Sequence, residues 1–386
     1  MVMILDSTLR EGEQTPGVYF PAHAKLAIAH GLDQLGVQFV EAGHPTVSPA
    51  IKAAIKRLGA EPLQAKVCAH ARSLREDVDE ALECGVDFLG IFYCVSSERL
   101  DGVFKRSLAD ATRQIADVIA YAKQQRPDLM IRYTPEDTVR SRFEHVVEAA
   151  AAACAAGADV ISVADTTGHM IPRRRSLYEL VSRLREALDA RGHRPLLAVH
   201  CHNDRGLAVA NALDAFEAGV DIIDTTVLGL GERAGIVDLA QLLVVLTADC
   251  GQTGWDLTRL PALYETVSTY CKVAIPPNAP VVGANAFTHC AGVHTHAATR
   301  NPVHYQSLDP TLVGRRMEVA LDHMSGVSSV QYALEGLGQD PSDRALVAEV
   351  LAQVKQVGEL GRTVSSRELE DIVRWCRARE AATAGV

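Results

Sequence analysis

Short apolar segments alternate with longer amphipathic segments through residues 2–227 of the chain. The apolar segments have the length of buried strands and lie at residues 2–5, 38–42, 65–69, 88–93, 130–133, 160–164, 196–199 and 222–227. Apolar residues at helical spacing lie between them, at residues 22–35, 108–125, 144–156, 177–190 and 207–218. Repeated strand–helix units are typical of a parallel sheet covered by helices, which is an α/β fold.

Eight such units favour a closed (β/α)8 TIM barrel, although an open doubly wound sheet would give the same alternation. After residue 252 the alternation stops, and Gly, Pro and Asn in residues 275–285 indicate a linker. Helical segments follow at 342–360 and 365–379, and Ser365 with Glu368 predicts a capping box. We therefore predict a catalytic barrel in residues 1–252 and a linker with a mainly helical C-terminal extension in residues 253–386.

Composition and charge exclude several functional classes. The formal net charge is -10 and the only tight basic run, residues 173–175, is expected to be a solvated loop, which argues against a nucleic-acid partner. The nine cysteines lack paired spacing, so no disulfide framework is expected. The N-terminal segment lacks the features of a signal peptide, and no apolar run has the roughly 20 residues needed to cross a bilayer. We expect a cytoplasmic protein without membrane contact.

A metal site is predicted where the first and seventh strands end. Because side chains alternate along a strand, His200 and His202 must point to the same face. Glu11 follows the first strand, and a barrel brings the carboxyl ends of its strands to one mouth. The His-x-His pair alone is a weak signal, but two imidazoles with a carboxylate leave open positions on a divalent ion, as in catalytic sites. Mg, Mn, Co, Fe and Zn all accept these ligands.

Other polar residues follow the predicted strands at the same end. Arg132 and Thr134 close the fifth strand, Thr166 the sixth and His70 the third. Each of them alone is equally consistent with a surface charge or a strand-end cap. An arginine suits a carboxylate because its planar guanidinium donates two parallel hydrogen bonds. Their joint placement predicts a binding site for a small carboxylic acid beside the metal.

Three segments together carry a resemblance to a known family. Residues 6–14, 200–211 and 229–235 resemble the homocitrate synthase and isopropylmalate synthase family, and the similarity extends through residues 287–326. Lyases and aldolases with related motifs share this barrel, but they generally lack the Glu232-Arg233 pair after the eighth strand. The resemblance therefore implies an acyltransferase that condenses acetyl-CoA with a 2-oxo acid, with a divalent metal (Mg, Mn, Zn or Co) as cofactor.

The resemblance also implies roles for individual residues. The implied metal ligands are Glu11, His200 and His202, and the implied catalytic residues are Arg10, Glu136, His294 and Tyr305. The implied substrate ligands are His70, Arg132, Thr134 and Thr166, and those near the thioester of CoA are Gly229, Gly231 and Glu232. In the family, the residues that match His294 and Tyr305 enter the barrel of a partner subunit, so a homodimer is expected whose C-terminal regions complete each other's sites.

The identity of the 2-oxo acid depends on a few positions. His70 and Ile236 match homocitrate synthases, which points to 2-oxoglutarate as substrate and homocitrate as product. Ala198 and Gly90 depart from that pattern, and residues 200–211 are closer to isopropylmalate synthases. An isopropylmalate synthase or a related alkylmalate or arylmalate synthase is therefore the alternative, followed by a lyase or aldolase. A non-catalytic barrel is the remaining hypothesis, and the intact set of motifs argues against it.

Overall fold

The computed structural model describes residues 1–298, 301 and 304–384 and divides into two compact units, Met1–Ile275 and Pro276–Val386. The sequence-based boundary at residue 252 lies before helix Leu260–Cys271, which packs within the first unit. Tyr264 on this helix is fully buried, and its hydroxyl accepts a hydrogen bond from the Ala240 backbone and donates one to Asp238. None of the described helices has the length and hydropathy that a membrane-spanning segment requires.

The first unit is a closed barrel of eight parallel strands. In chain order they are β1 (Met3–Asp6), β2 (Phe39–Glu41), β3 (Lys66–Arg72), β4 (Phe88–Cys94), β5 (Met130–Glu136), β6 (Val160–Asp165), β7 (Leu196–Cys201) and β8 (Ile222–Thr225). Each strand pairs with its neighbour in the chain, and β1 also pairs with β8, which closes the ring. The predicted barrel and its eight strands are confirmed.

Helices follow the strands around the outside of the barrel. They are α1 (Ala22–Leu35), α2 (Pro49–Gly59), α3 (Arg75–Leu82), α4 (Ser97–Arg99), α5 (Leu108–Gln125), α6 (Phe143–Ala155), α7 (Leu177–Asp189), α8 (Ala208–Glu217), α9 (Leu239–Ala248) and α10 (Leu260–Cys271). The bounds of α1 and α5 coincide with the predicted ones. Helices α2, α3, α4, α9 and α10 are additions to the helices named from the sequence.

The second unit is mainly helical, as predicted. It contains α11 (Gly292–Ala298), α12 (Val327–Gly336), α13 (Arg344–Gly358) and α14 (Ser366–Ala384), with short strands β9 (Thr288–His289) and β10 (Glu318–Val319). Its core includes Val330, Val350 and Val373, which come from three of these helices. The predicted capping box is present, because the Glu368 amide donates to Ser365 Oγ and the Ser365 amide donates to Glu368 Oε2.

Inside the barrel, the side chains change from apolar to polar towards the carboxyl ends of the strands. An interior layer consists of Leu5, Phe39, Cys68, Phe88, Val160, Ala198 and Ile222. Two residues further along a strand, the side chain points to the same face. On four strands that position holds Glu41, His70, His200 and Asp224. The apolar layer thus fills one end of the barrel, and ionisable groups gather at the other.

A buried lysine joins the first two loops at this polar end. Lys25 on α1 is fully buried, and its ammonium donates hydrogen bonds to the Leu9 carbonyl at 2.5 Å, the Ala42 carbonyl at 2.7 Å and Glu13 Oε2 at 2.7 Å. Leu9 precedes Arg10 and Glu11, while Ala42 follows Glu41. Lys25 therefore fixes the separation of two loops that carry charged residues into the barrel.

We expect Lys25→Met to lower the free energy of unfolding by about 3 to 5 kcal/mol, because it leaves buried oxygens without their charged donor. Chemical denaturation monitored by circular dichroism measures the change. Lys52→Met is the control, since Lys52 bridges Glu80 and Glu83 at the surface and its loss should change stability little. Equal free energies of unfolding of the two variants would show that Lys25 does not stabilise the fold by holding these loops together.

Candidate metal and substrate site

A cavity of about 180 Å³ lies at the carboxyl ends of the strands. Ten residues singled out from the sequence line it: Arg10, Glu11, His70, Arg132, Thr134, Glu136, Thr166, His200, His202 and Glu232. Gln14, His44, Phe92 and Ala164 complete the lining. The volume is below the roughly 300 to 1,000 Å³ of pockets for drug-sized ligands, so it fits a small organic acid.

Glu11, His200 and His202 converge on one point of this cavity. Each offers a ligand atom, and these atoms lie within 4.8 Å of one another. The two Nε2 atoms of the histidines are 3.3 Å apart. Burial, together with the neighbouring His200, lowers the pKa of His202 to about 3, so this imidazole is neutral and retains a lone pair. Two imidazole nitrogens and a carboxylate form a donor set that fits a divalent metal ion.

Asp224 orients one of these histidines. Its Oδ2 lies 2.9 Å from Nδ1 of His200, which fixes the proton on Nδ1 and directs the Nε2 lone pair towards Glu11 and His202. The same carboxylate accepts hydrogen bonds from both terminal nitrogens of Arg132, at 2.8 and 2.6 Å. Burial favours the neutral acid, but Arg132 and His200 hold the pKa of Asp224 below its ordinary value.

A second charged cluster surrounds Arg10. Its Nε donates to Glu41 Oε2 at 2.8 Å and its Nη1 donates to Glu11 Oε2 at 2.5 Å. Burial disfavours the guanidinium charge, yet Glu41 and Glu11 raise the pKa of Arg10 above its ordinary value. Burial also opposes ionisation of Glu11, but Arg10 holds its pKa below the ordinary value. Arg10 is therefore a fixed cation that contacts Glu11, one of the proposed metal ligands.

His70 lies on the other side of Glu41, with its Nδ1 3.1 Å from Glu41 Oε1. Burial and Arg10 lower the pKa of His70, and its Nε2 is buried without a hydrogen-bond partner among the residues that the structure describes. The ring is stacked on His44, with centroids 4.9 Å apart, and meets the edge of Phe92 at 5.0 Å. The Nε2 of His70 is thus available to a ligand on a side of the cavity that is otherwise formed by the rings of His44 and Phe92.

The remaining polar residues are held by neighbouring loops. Glu136 forms an ion pair with Arg99 at 3.0 Å. Thr166 Oγ1 accepts a hydrogen bond from the Asp137 amide at 3.0 Å, and its carbonyl accepts one from Arg233 at 2.6 Å. These contacts connect the segments that follow β4, β5, β6 and β8.

The turn after β8 requires glycine at two positions. Gly231 has φ 153°, and a Cβ there would lie 3.1 Å from Cγ and Oε1 of Glu11. At Gly235, with φ 75°, a Cβ would lie 1.7 Å from the Gly229 carbonyl oxygen. This close packing lets the Glu232 amide donate to Glu11 Oε1 at 3.2 Å. Gly229 and Gly231 do not line the cavity, whereas Glu232 does.

His294 and Tyr305 lie in the second unit. Their rings are 4.4 Å apart with an interplanar angle of 34°, and both side chains are exposed. The two residues therefore form a pair on the surface of their own unit. Their expected entry into the barrel of a partner subunit stays a prediction.

Several residues of the site were not identified from the sequence, among them the three polar residues Glu41, Asp224 and His44. A signal existed for two of them, because Glu41 and Asp224 each stand two positions after an apolar residue of the interior layer. For His44, which follows β2 in a loop, sequence periodicity offers no such signal.

Comparisons with known proteins agree with this geometry. A family profile described as HMGL-like matches residues 1–267, and one described as homocitrate synthase post-HMGL domain-like matches residues 281–362. The homocitrate synthase of Pyrococcus horikoshii is 43% identical over 92% of this chain and 96% of its own length. A probable 2-isopropylmalate synthase of Ignicoccus hospitalis is 38% identical over 99% of this chain and 95% of its own. This chain belongs to the homocitrate synthase and isopropylmalate synthase family. The family resemblance stated from the sequence is thereby confirmed.

A solved structure shares the barrel of this family member. The crystal structure of the HMG-CoA lyase of Bacillus subtilis superimposes with a TM-score of 0.60 at 21% identity, covering 71% of this chain and 95% of that protein. At this identity the likeness shows the fold and no more. The synthase-family assignment therefore comes from the curated relatives.

We expect Asp224→Asn to weaken the binding of Mn²⁺ by about 10- to 100-fold, because His200 loses the carboxylate that orients it. Isothermal titration calorimetry on metal-free protein measures the affinity. Asp221→Asn is the matched control, since Asp221 precedes β8 and contacts Arg185 at 3.2 Å, outside the cavity lining. An unchanged affinity in Asp224→Asn would contradict this role of Asp224.

Proposed function

We propose that this family member is a condensing acyltransferase that joins the acetyl group of acetyl-CoA to 2-oxoglutarate and releases homocitrate and CoA. The observation that carries the proposal is the convergence of Glu11, His200 and His202 in a small cavity that also contains two buried arginines. The curated relatives named homocitrate synthase, at 40–43% identity over most of this chain, support the reaction.

The 2-oxo acid binds between the metal ligands and the two arginines. Glu11, His200 and His202 would hold a divalent ion (Mg, Mn, Zn or Co), which would supply a Lewis acid for the ketone. Arg10 lies beside the reacting carbonyl oxygen and stabilises the negative charge that develops there. Its position is supported by its hydrogen bonds to Glu11 and Glu41, which leave a terminal nitrogen of the guanidinium for the substrate.

Arg132, Thr134 and Thr166 bind the carboxylate of the 2-oxo acid. Arg132 uses one N–H of each terminal nitrogen for Asp224, so the second N–H of each remains for a ligand. Thr134 Oγ1 accepts from Arg132 Nε at 3.3 Å, and Thr166 Oγ1 accepts from the Asp137 amide. Both hydroxyl protons are therefore available to donate to the substrate.

Carbon–carbon bond formation requires an enolate of acetyl-CoA. The acetyl methyl group is a weak acid, so a base must remove its proton as the new bond forms. We assign this base to His294, assisted by Glu136 or Tyr305. The enolate carbon attacks the ketone carbon, the resulting alkoxide takes a proton, and water then cleaves the thioester to release CoA. Gly229, Gly231 and Glu232 lie near the thioester in this arrangement.

His294 and Tyr305 act across a homodimer in this proposal, so that each C-terminal region completes the site of the other subunit. The family resemblance at residues 287–326 supports it. A cytoplasmic location is part of the proposal and is supported by the nine cysteines, all of which are free.

His70 selects 2-oxoglutarate by binding its distal carboxylate. The unpartnered Nε2 of this buried histidine supports that role. Burial and Arg10 lower the pKa of His70, but the negative charge of a bound carboxylate favours the protonated ring, whose Nε2 then donates to it. An isopropylmalate synthase or related enzyme is the second candidate, because Phe92 and Ala164 add apolar surface to the cavity and two relatives are named for that activity.

We expect free-thiol release with acetyl-CoA to be fastest with 2-oxoglutarate in a panel that includes 2-oxoisovalerate. In His70→Leu, kcat/KM for 2-oxoglutarate should fall about 100-fold or more, while that for 2-oxoisovalerate should not fall. His145→Leu is the control, because this histidine bonds the Val95 carbonyl through Nδ1 and does not line the cavity.

The outcomes of this panel separate the candidates. If the wild type prefers 2-oxoisovalerate, the enzyme is an isopropylmalate synthase and not a homocitrate synthase. No thiol release with any 2-oxo acid would refute the condensation. Cleavage of a 3-hydroxy-3-methylacyl-CoA without turnover of acetyl-CoA would indicate a lyase.

Subunit complementation tests the shared site. We expect Glu11→Gln and His294→Ala to be inactive separately. A heterodimer purified through two different tags should recover roughly half of the wild-type activity, since one of its two sites has both residues intact. Activity no higher than in either parent would mean that His294 serves its own chain or none.

A further inference from the structure

A second cavity of about 360 Å³ adjoins the substrate cavity in the first unit. Gln14, His44 and Phe92 line both cavities. The second cavity, here called the outer recess, is otherwise lined by Thr46, Val47, Arg72 and Asp77. The rings of His44 and Phe92 therefore stand where the substrate cavity ends and the outer recess begins.

His44 is fixed in this position by three contacts. Its ring is stacked on His70 with an interplanar angle of 25°, and Phe92 meets it edge-on with centroids 6.2 Å apart. Its Nδ1 lies 3.1 Å from the His70 carbonyl oxygen and must therefore donate to it. Gly43 precedes it with φ 143°, and a Cβ there would lie 3.3 Å from Ile51 and Ile55, so the chain approaches α2 closely.

The hydrogen bond of His44 determines what its ring offers to a substrate. With the proton on Nδ1, the Nε2 of a neutral imidazole is an acceptor. Burial and the nearby His70 lower the pKa of His44 to about 3, so the ring stays neutral. A neutral acceptor does not attract a carboxylate, and His44 consequently acts on a dicarboxylic acid by its bulk.

The outer recess has a cation suited to a carboxylate. Arg72 donates through Nε and Nη2 to Asp77 at 2.8 Å each, which fixes the guanidinium and leaves its Nη1 for another acceptor. Asp77 is buried, whereas the Arg72 side chain is more than half exposed. A chain that extended past His44 would find a terminal partner there.

We propose that His44, together with Phe92, forms the end wall of the 2-oxo acid site and limits the length of 2-oxo dicarboxylic acid that the enzyme accepts. This inference rests on the proposed function and adds a specificity-determining residue to it. Without the imidazole, the two cavities join, and 2-oxoadipate or 2-oxopimelate extends its distal carboxylate towards Arg72.

The test compares the wild type, His44→Ala and His44→Phe, each loaded with Mn²⁺. Isothermal titration calorimetry measures Kd for 2-oxoglutarate, 2-oxoadipate and 2-oxopimelate, and thiol release measures kcat/KM. In His44→Ala, preference for the two longer acids relative to 2-oxoglutarate should rise about tenfold or more by either readout. His44→Phe retains a ring and should keep the wild-type preference, and His145→Ala should change neither readout.

Phe92→Ala provides a second opening of the same wall and should shift the preference in the same direction, which keeps the test decisive if His44→Ala does not fold. The inference is overturned if the preference is unchanged in the alanine variants, or if His44→Phe shifts as much as His44→Ala. If the wild type binds 2-oxo acids but releases no thiol, only the proposed condensation is refuted. The ratios of the Kd values for the three acids then still show whether His44 and Phe92 limit the length of the acid. If the wild type binds none of the three acids, both are wrong.

Discussion

Charges buried at the mouth of the barrel must be compensated, because an isolated ion in a protein interior is costly. The chain meets this constraint with two linked groups. Arg10 lies between Glu11 and Glu41, and Asp224 lies between Arg132 and His200. Each arginine is matched by a carboxylate, so the guanidinium groups remain charged and in place before any substrate arrives. The geometry of the proposed metal ligands depends on this pairing, because Glu11 and His200 each belong to one of the groups.

Strand periodicity explains why much of the fold and site could be predicted from the sequence. Eight apolar segments favoured the barrel over an open sheet. Because active-site residues of such barrels follow the strands, Glu11 was predicted to lie close to His200 and His202. The change from apolar to ionisable residues on the interior faces came from the structure, and it is what reveals Glu41 and Asp224. Their roles are to hold other side chains, and a single sequence does not contain the contacts that show this.

Other features could not be predicted for physical reasons. His44 lies in a loop, where no periodicity relates its side chain to the interior of the barrel. Its place beside His70 and Phe92 results from tertiary packing of the loop after β2 against β3 and β4. The short helix α3 was also not predicted. Only three of its residues are buried, and one of them is Asp77, so its sequence has few apolar positions from which helical spacing could be recognised. The division of the chain at Ile275 follows from the packing of α10, which a change in composition at residue 252 does not reveal.

Asp224 contacts a histidine of the proposed metal site and an arginine of the proposed substrate site through the same two oxygens. A ligand that draws Arg132 towards itself leaves more of the negative charge of Asp224 on His200 and makes that imidazole a stronger donor. Since binding free energies are linked reciprocally, each of the two partners must then change the affinity of the other by the same factor. The affinities for the ion and for the acid are thus coupled through one carboxylate, whichever of the two binds first.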